Sequence, residues 1–297
     1  GRMQESSRTA FELMSRDIRD GGGTPCDNAS DFSFTNGLSS PTANWWTNWD
    51  NGMRGYTGAT AFPDAAFGTT TLAQRVAGTD AIEIKAGEVT NSIVTAESPA
   101  DVPPGNTARA AAIQVSTVTG LTVNDILILC DYRGGTIFKA SSFAGNTILH
   151  ATGGSPANAA STLAKVFPVP DPVYPTGQPP AWARNATIAK LRATRWYIGC
   201  NLRAACTLPT GRSLFQSSLL NTAGTLSIQN DEVAQGISGM TLEYLQTGGN
   251  AYVAATGVTD WTRVIAVKIT LTITGDDRAG TDGTRLTRTL QHVVSLR

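Results

Sequence analysis

Charge is scarce in this chain, and what there is cancels. Lys, Arg, Asp and Glu make up 15% of the 297 residues, where an ordinary soluble domain carries roughly a quarter. The count is 23 basic against 23 acidic groups, a formal net charge of zero. Binding to nucleic acid or to an anionic membrane surface needs a basic excess, so neither is an expected partner. Histidine is scarcer still, with only His150 and His292. No GxSxG elbow, HExxH, phosphate-binding loop or GxGxxG is present, so a Ser-His-Asp arrangement has nothing to rest on. Both histidines read as structural or surface groups. No enzyme, cofactor or metal is expected. Long apolar runs are also missing: the longest, Ile126 to Cys130, has five residues, far below the roughly 18 of a membrane span. No basic-then-apolar leader opens the chain, which begins at Gly1; a processed or trimmed fragment is the expectation.

What replaces charge is Thr, Gly, Ala and Asn, which favours strands and turns over helices and fits a secreted or surface protein. At 41% hydrophobic, the chain can bury a substantial core in one large domain or two small ones. Its four cysteines, Cys26, Cys130, Cys200 and Cys206, lack the close spacing of a zinc ribbon or a thioredoxin-like motif. An even number beside low charge favours disulfides in an oxidising compartment. Three pairings are possible. The expected one closes the short loop GCNLRAAC with Cys200 and Cys206 and leaves Cys26 with Cys130; two free buried thiols are the alternative.

Residues Gln4 to Asp20 predict the end of a helix, because Ala10, Leu13, Met14 and Ile18 recur at three- and four-residue spacing with Phe11 beside them. Gly21-Gly22-Gly23 and then Pro25 stop it. The helix has no clear capping residue at its start, so residues 1–23 are expected to be the C-terminal part of a longer one. Residues 24–167 read as a loop-rich β region, with short strand signals from residue 81 onward. A Pro-rich connector at 168–180 precedes a C-terminal antiparallel β region at 181–297, all within one globular head. The clearest period-2 pattern puts Ile265, Val267, Ile269, Leu271 and Ile273 on one face, opposite Lys268, Thr270, Thr272 and Thr274. It predicts a hairpin with one buried face, for which the N-terminal helix is the candidate cover. No repeat of fixed period is present.

Charge is uneven along the chain. Residues 20–84 hold seven acidic and two basic groups, whereas residues 172–230 hold six basic groups and no acid: Arg184, Lys190, Arg192, Arg195, Arg203 and Arg212. The asymmetry suits head-to-tail contact between subunits, with Arg192 and Arg195 as partner-binding residues; two solvated faces are the plainer alternative. Asp276, Asp277 and Asp282 lack EF-hand spacing and read as a solvated turn. The segment NWWTNWDN, with Trp45, Trp46 and Trp49, either presents rings to a sugar or a partner, or folds over the core beneath a long loop. Asn-x-Ser/Thr sequons stand at Asn28 and Asn185.

The order of segments resembles the PilW-like minor pilins of bacterial type IV pili. The residues carrying this are SRTAFELMSRDIRDGG followed shortly by Cys26, then TDAIEIKAG, then NDILILCDYRGGTIFKAS with Cys130. RWYIG, RSLFQ, EVAQGISGMTLEYL, DWTRVIAVKITLTI and the terminal QHVVSLR follow in the same order. The resemblance implies an α+β, pilin-like fold: a truncated N-terminal helix packed on antiparallel sheet, β-rich with long loops. Phe11, Leu13, Met14 and Ile18 would pack the helix on the sheet. It implies a structural subunit of a priming and tip complex needed for pilus assembly, adhesion and twitching. Implied partners are other minor pilins, the major pilin and a tip adhesin. The implied location is the inner membrane of a Gram-negative bacterium, held by a deleted apolar and methylated N-terminal helix, and afterwards the extracellular pilus. A type II secretion pseudopilin and a carbohydrate-binding surface module are the alternatives.

Overall fold

The computed structural model describes residues 2–26, 33–49, 52–98, 112–131, 134–160, 163, 186–275 and 283–296. Strands dominate it: 51% of residues are in strands and 10% in helix, in one large mixed sheet of 11 strands and one of three. This overturns the expected α+β, pilin-like architecture of a helix layered on antiparallel sheet. Among the described residues the one α-helix, α1 (Arg2–Asp20), is a minority element, and the large sheet is not purely antiparallel, since β1 (Ser33–Asn36) runs parallel to β6 (Gly134–Lys139). The composition explains the outcome, because a chain rich in Thr and in β-branched residues is better placed on pleated surfaces than in helices.

Two long strands form the spine of the large sheet. β3 (Ala81–Ser98) pairs antiparallel with β9 (Thr187–Cys200) from Ala81↔Tyr197 to Ile93↔Thr187. The far edge of β9 is shared by β5 (Ile126–Asp131) at one end and β10 (Arg212–Thr222) at the other. The far edge of β3 takes β2 (Met53–Tyr56) and β4 (Ala112–Val115). Between those two, the triglycine after α1 joins the strand: Gly22 donates to the Lys85 carbonyl at 2.9 Å and Gly87 donates to the Gly23 carbonyl at 2.8 Å. Gly22 has φ +73°, and a Cβ on Gly52 would lie 2.1 Å from its Cα, so glycine is required where the helix end meets the 52–53 segment. Residues from both sides of the 168–180 connector interleave in this sheet, with β9 between β5 and β3; the connector itself lies outside the described residues. β7 (Ser142–Ala144) and β8 (Thr147–Leu149) extend it beyond β4.

β11 (Thr225–Gln235) follows β10 and passes through Gly236, φ +75°, into the three-stranded sheet β12–β13–β14. These strands are β12 (Ile237–Gln246), β13 (Val264–Thr274) and β14 (Thr287–Ser295). Helix α1 enters between the two sheets. Ala10, Met14 and Ile18 are fully buried, in one cluster with Ile82, Ile84, Trp196 and Ile198 of the large sheet and Val267, Ile269 and Leu271 of the small one. Phe11 and Leu13 pack at the margin of that cluster. At about 25 cal/mol per Å², burying each large apolar side chain contributes roughly 1.5–3 kcal/mol, so this shared cluster holds the two sheets together. β5 shows why ILILC reads as one apolar run: Leu127 and Leu129 enter one cluster and Ile126, Ile128 and Cys130 the opposite one, so both faces are covered. Among the described residues no helix is long and apolar enough to cross a membrane.

Both disulfides have the expected pairing. Cys26–Cys130 has a Cα–Cα distance of 5.9 Å and a sequence separation of 104; Cys200–Cys206 has 5.3 Å and 6. Loop-closure entropy makes the first the larger stabiliser, about 4–5 kcal/mol against about 2 kcal/mol for the second. A Cys26→Ala/Cys130→Ala variant should therefore lose at least twice the unfolding free energy lost by Cys200→Ala/Cys206→Ala, read by urea titration.

Candidate functional site

The strand alternation in AIEIK sends Ile82 and Ile84 toward α1, and Glu83 and Lys85 to the opposite face of β3. That face is covered by the segment carrying Trp45 and Phe62, and a buried ionic cluster results. Arg195, directly opposite Glu83 in the ladder, donates through Nε to Glu83 Oε1 at 2.8 Å and through both Nη atoms to Asp64 at 2.9 and 2.6 Å. Lys85 Nζ donates to Glu83 Oε2 at 3.0 Å. The Arg195 guanidinium lies 4.3 Å from the Trp45 ring centroid and 4.0 Å from that of Phe62, a sandwich in which cation–π attraction adds to the ion pairs. Lys85 has no solvent exposure, whereas the Asp64 side chain is 44% exposed. Burial pushes the Asp64 carboxyl up, but the Arg195 hydrogen bonds and charge outweigh it and hold it below the usual carboxylate value. Arg75 ties the same covering segment by donating to the carbonyls of Thr60, Thr57 and Thr79 at 2.9–3.0 Å; burial lowers its guanidinium to about 10. A cavity of about 480 Å³ opens beside this cluster, walled by Trp45, Phe62, Arg195, Tyr197, Ser217 and Asn230.

A second polar centre fixes the end of α1. The Asp17 carboxylate is buried and accepts from Arg192 Nη1 at 2.9 Å, Trp196 Nε1 at 2.9 Å and Gln216 Nε2 at 2.8 Å. Arg192 Nη2 also reaches Asp20 Oδ2 at 2.9 Å. One helical carboxylate thus gathers donors from β9 and β10, and the helix axis is locked to the large sheet. Beside this joint runs a cavity of about 870 Å³, lined among others by Arg16, Arg19, Arg192, Trp49, Val89 and Trp261.

Comparison with models of known protein families, with curated proteins and with solved structures returned no match.

The structure redistributes the residues singled out in the sequence. Trp45 and Trp46 are 9% and 8% exposed and belong to the cluster over β5 and β9, so their faces are covered; Trp49 stacks on Phe34 at 4.4 Å and lines the large cavity. Arg192 and Arg195 are engaged inside the subunit by Asp17, Asp20, Asp64 and Glu83. The other bases of the 172–230 stretch are engaged likewise: Lys190 with Asp125 at 3.1 Å, Arg203 with Glu232 at 2.6 Å, and Arg212 with the Cys206 carbonyl at 2.9 Å. Arg184 lies outside the described residues, as do Asp276, Asp277, Asp282, Asn28 and Asn185. Part of the charge asymmetry along the chain is thus paired by folding, Arg192 with Asp20 and Arg195 with Asp64 and Glu83 of the acidic segment. Among the described residues, the expected partner-binding groups Trp45 and Arg195 meet, across 150 positions. Asp17, Asp64, Glu83, Lys85 and Phe62 were missed, although the opposed parity of Glu83 and Ile82 in AIEIK signals a polar face.

Neither histidine takes part. His292 lies on β14 with its ring 5.7 Å from that of Phe11. His150 is buried against Phe138, and burial lowers its imidazole to about 4. A depressed histidine pKa leaves folded and unfolded states equally unprotonated above about pH 6.5. Below that the unfolded chain takes up the proton first, so stability falls by up to about 3 kcal/mol as pH drops from 6.5 to 4. A His150→Gln variant should show a flatter profile over that window in pH-dependent thermal unfolding. Among the described residues no group of three or more His, Cys, Asp or Glu side chains gathers as a metal site.

Proposed function

We propose that this chain is a non-enzymatic structural subunit of an extracytoplasmic filament, a minor pilin of a type IV pilus priming and tip complex. The observation that carries the reading is the Asp17 joint: α1 enters between two sheets and its carboxylate is held by donors from two strands, so a load on the helix passes directly into the body. The order of the sequence segments supports the same reading, as do two disulfides suited to an oxidising compartment. The strand-dominated body departs from the layering expected of the family, so beyond this joint the fold contributes nothing to the proposal. On this reading the head works outside the cytoplasm, first at the inner membrane and then in the pilus. Its partners are other minor pilins, the major pilin and a tip adhesin. Deletion of the gene tests this: surface pili and twitching should be abolished or sharply reduced, and normal piliation would contradict it.

A further inference from the structure

Sheet edges attract foreign strands, and folded proteins protect them by shortness, bulges, buried or charged side chains, or a covering segment. This protein protects its edges unequally. The large sheet ends in β1 and β7, with four and three residues. The outer edge of β11 carries Asp231 and Glu232, and its pairing with β10 breaks register at Leu214/Phe215. The outer edge of β12 is bridged by Val253, which exchanges hydrogen bonds with Tyr244 at 2.7 and 2.9 Å.

β14 has none of these devices beyond one charge, Arg288. Its nine residues pair with β13 without a break from Ala266↔Ser295 to Thr274↔Thr287, so the strand has no bulge. It contains no Pro, Gly, Lys, Asp or Glu, and all but Val294 are exposed, including Leu290 at 38% and Val293 at 46%. Among the described residues no hydrogen bond reaches its outer row of N–H and C=O groups, half of which an antiparallel strand turns away from its one partner. Helix α1 touches β14 through Phe11 on His292, which shares the face of buried Val294.

We infer that β14 is a docking edge that adds an extended, acidic strand from a different protein to the small sheet. Main-chain hydrogen bonds supply the affinity in such strand addition, and alternate side chains supply the selection. Charge identifies the occupant: β14 carries Arg288 and no acid. A carboxylate beside Arg288 and an apolar residue beside Leu290 complete the same-face pairs of the extended sheet. A second copy of this chain fits worse. Two β14 edges bring like charge together, while β11 is bulged and its Glu232 is already held by Arg203. That the strand comes from another subunit rests on the assembly reading above; the open edge does not.

The test uses the full disulfide-bonded chain and a nine-residue peptide with Thr on one face and Val on the other, except for one Glu on the Val face, placed to meet Arg288 while Val meets Leu290. In the free protein, alternate amides of Thr287–Ser295 should exchange rapidly, and the peptide should slow them at least about tenfold. Replacing its Glu by Lys should weaken binding about tenfold, and N-methylation of alternate backbone nitrogens should abolish it. The inference is overturned by uniform protection of β14 without peptide, by no slowing at millimolar peptide, or by equal binding of either control peptide. It is also overturned by concentration-dependent dimerisation that protects β14. Strand capture in a chain whose deletion leaves piliation normal would refute the pilus reading alone.

Discussion

Asp17→Ala should lower the unfolding free energy by about 3–5 kcal/mol, the range for breaking a buried pair and stranding its partner. The substitution leaves the Trp196 indole N–H, which is fully buried, without an acceptor, and deprives Arg192 and Gln216 of theirs as well. Asp20 can retain only one Arg192 nitrogen. Asp17→Asn should fall between, since a neutral amide accepts more weakly and presents an NH₂ to groups that are themselves donors. Urea unfolding followed by Trp fluorescence measures both. If Asp17→Ala costs under about 1 kcal/mol, the typical net contribution of one hydrogen bond, then the joint does not hold the helix to the body.

Arg195→Met should also cost about 3–5 kcal/mol, and for a different reason. Glu83 keeps Lys85, but the charge that ties the covering segment to β9 through Asp64 is gone, and the slot between Trp45 and Phe62 loses its planar filling. Lysine does not substitute, because an ammonium cannot make the paired bonds to Asp64 or stack as a flat group. Exchanging the whole cluster is a sharper probe. Well-packed apolar replacements of buried ion clusters are often neutral or stabilising, so the triple variant Glu83→Leu/Lys85→Leu/Arg195→Met should lose less than Arg195→Met alone. A triple variant worse than the single one would mean the cluster stabilises by attraction beyond avoiding a stranded charge.

The elements legible in the sequence are those whose pattern is local. The spacing of Ala10, Met14 and Ile18 marks the buried stripe of α1, and alternation marks Val267, Ile269, Leu271 and Ile273 on β13. Ile265 breaks that pattern with 42% exposure, because the pairing with β12 shifts register between Leu245 and Gln246. The architecture was less legible. β3 runs for 18 residues across Gly87 and a polar stretch, where composition announced only the short strand AIEIK. Its edge partners, including a triglycine, are chosen by tertiary position. The functional residues were legible as types and not as partners. Arg192 and Arg195 read as free cations because their carboxylates stand more than 100 positions away, and sequence proximity says nothing about ladder register. The Trp segment admitted both a binding surface and a cover over the core, and the burial of Trp45 and Trp46 decides for the cover.

The central claim is that this chain is a subunit on which filament assembly depends. It is tested most directly by counting surface pili in a strain deleted for the gene and in the same strain complemented with the intact gene. The account predicts few or no pili in the deletion strain and full recovery on complementation. Wild-type piliation in the deletion strain would contradict it.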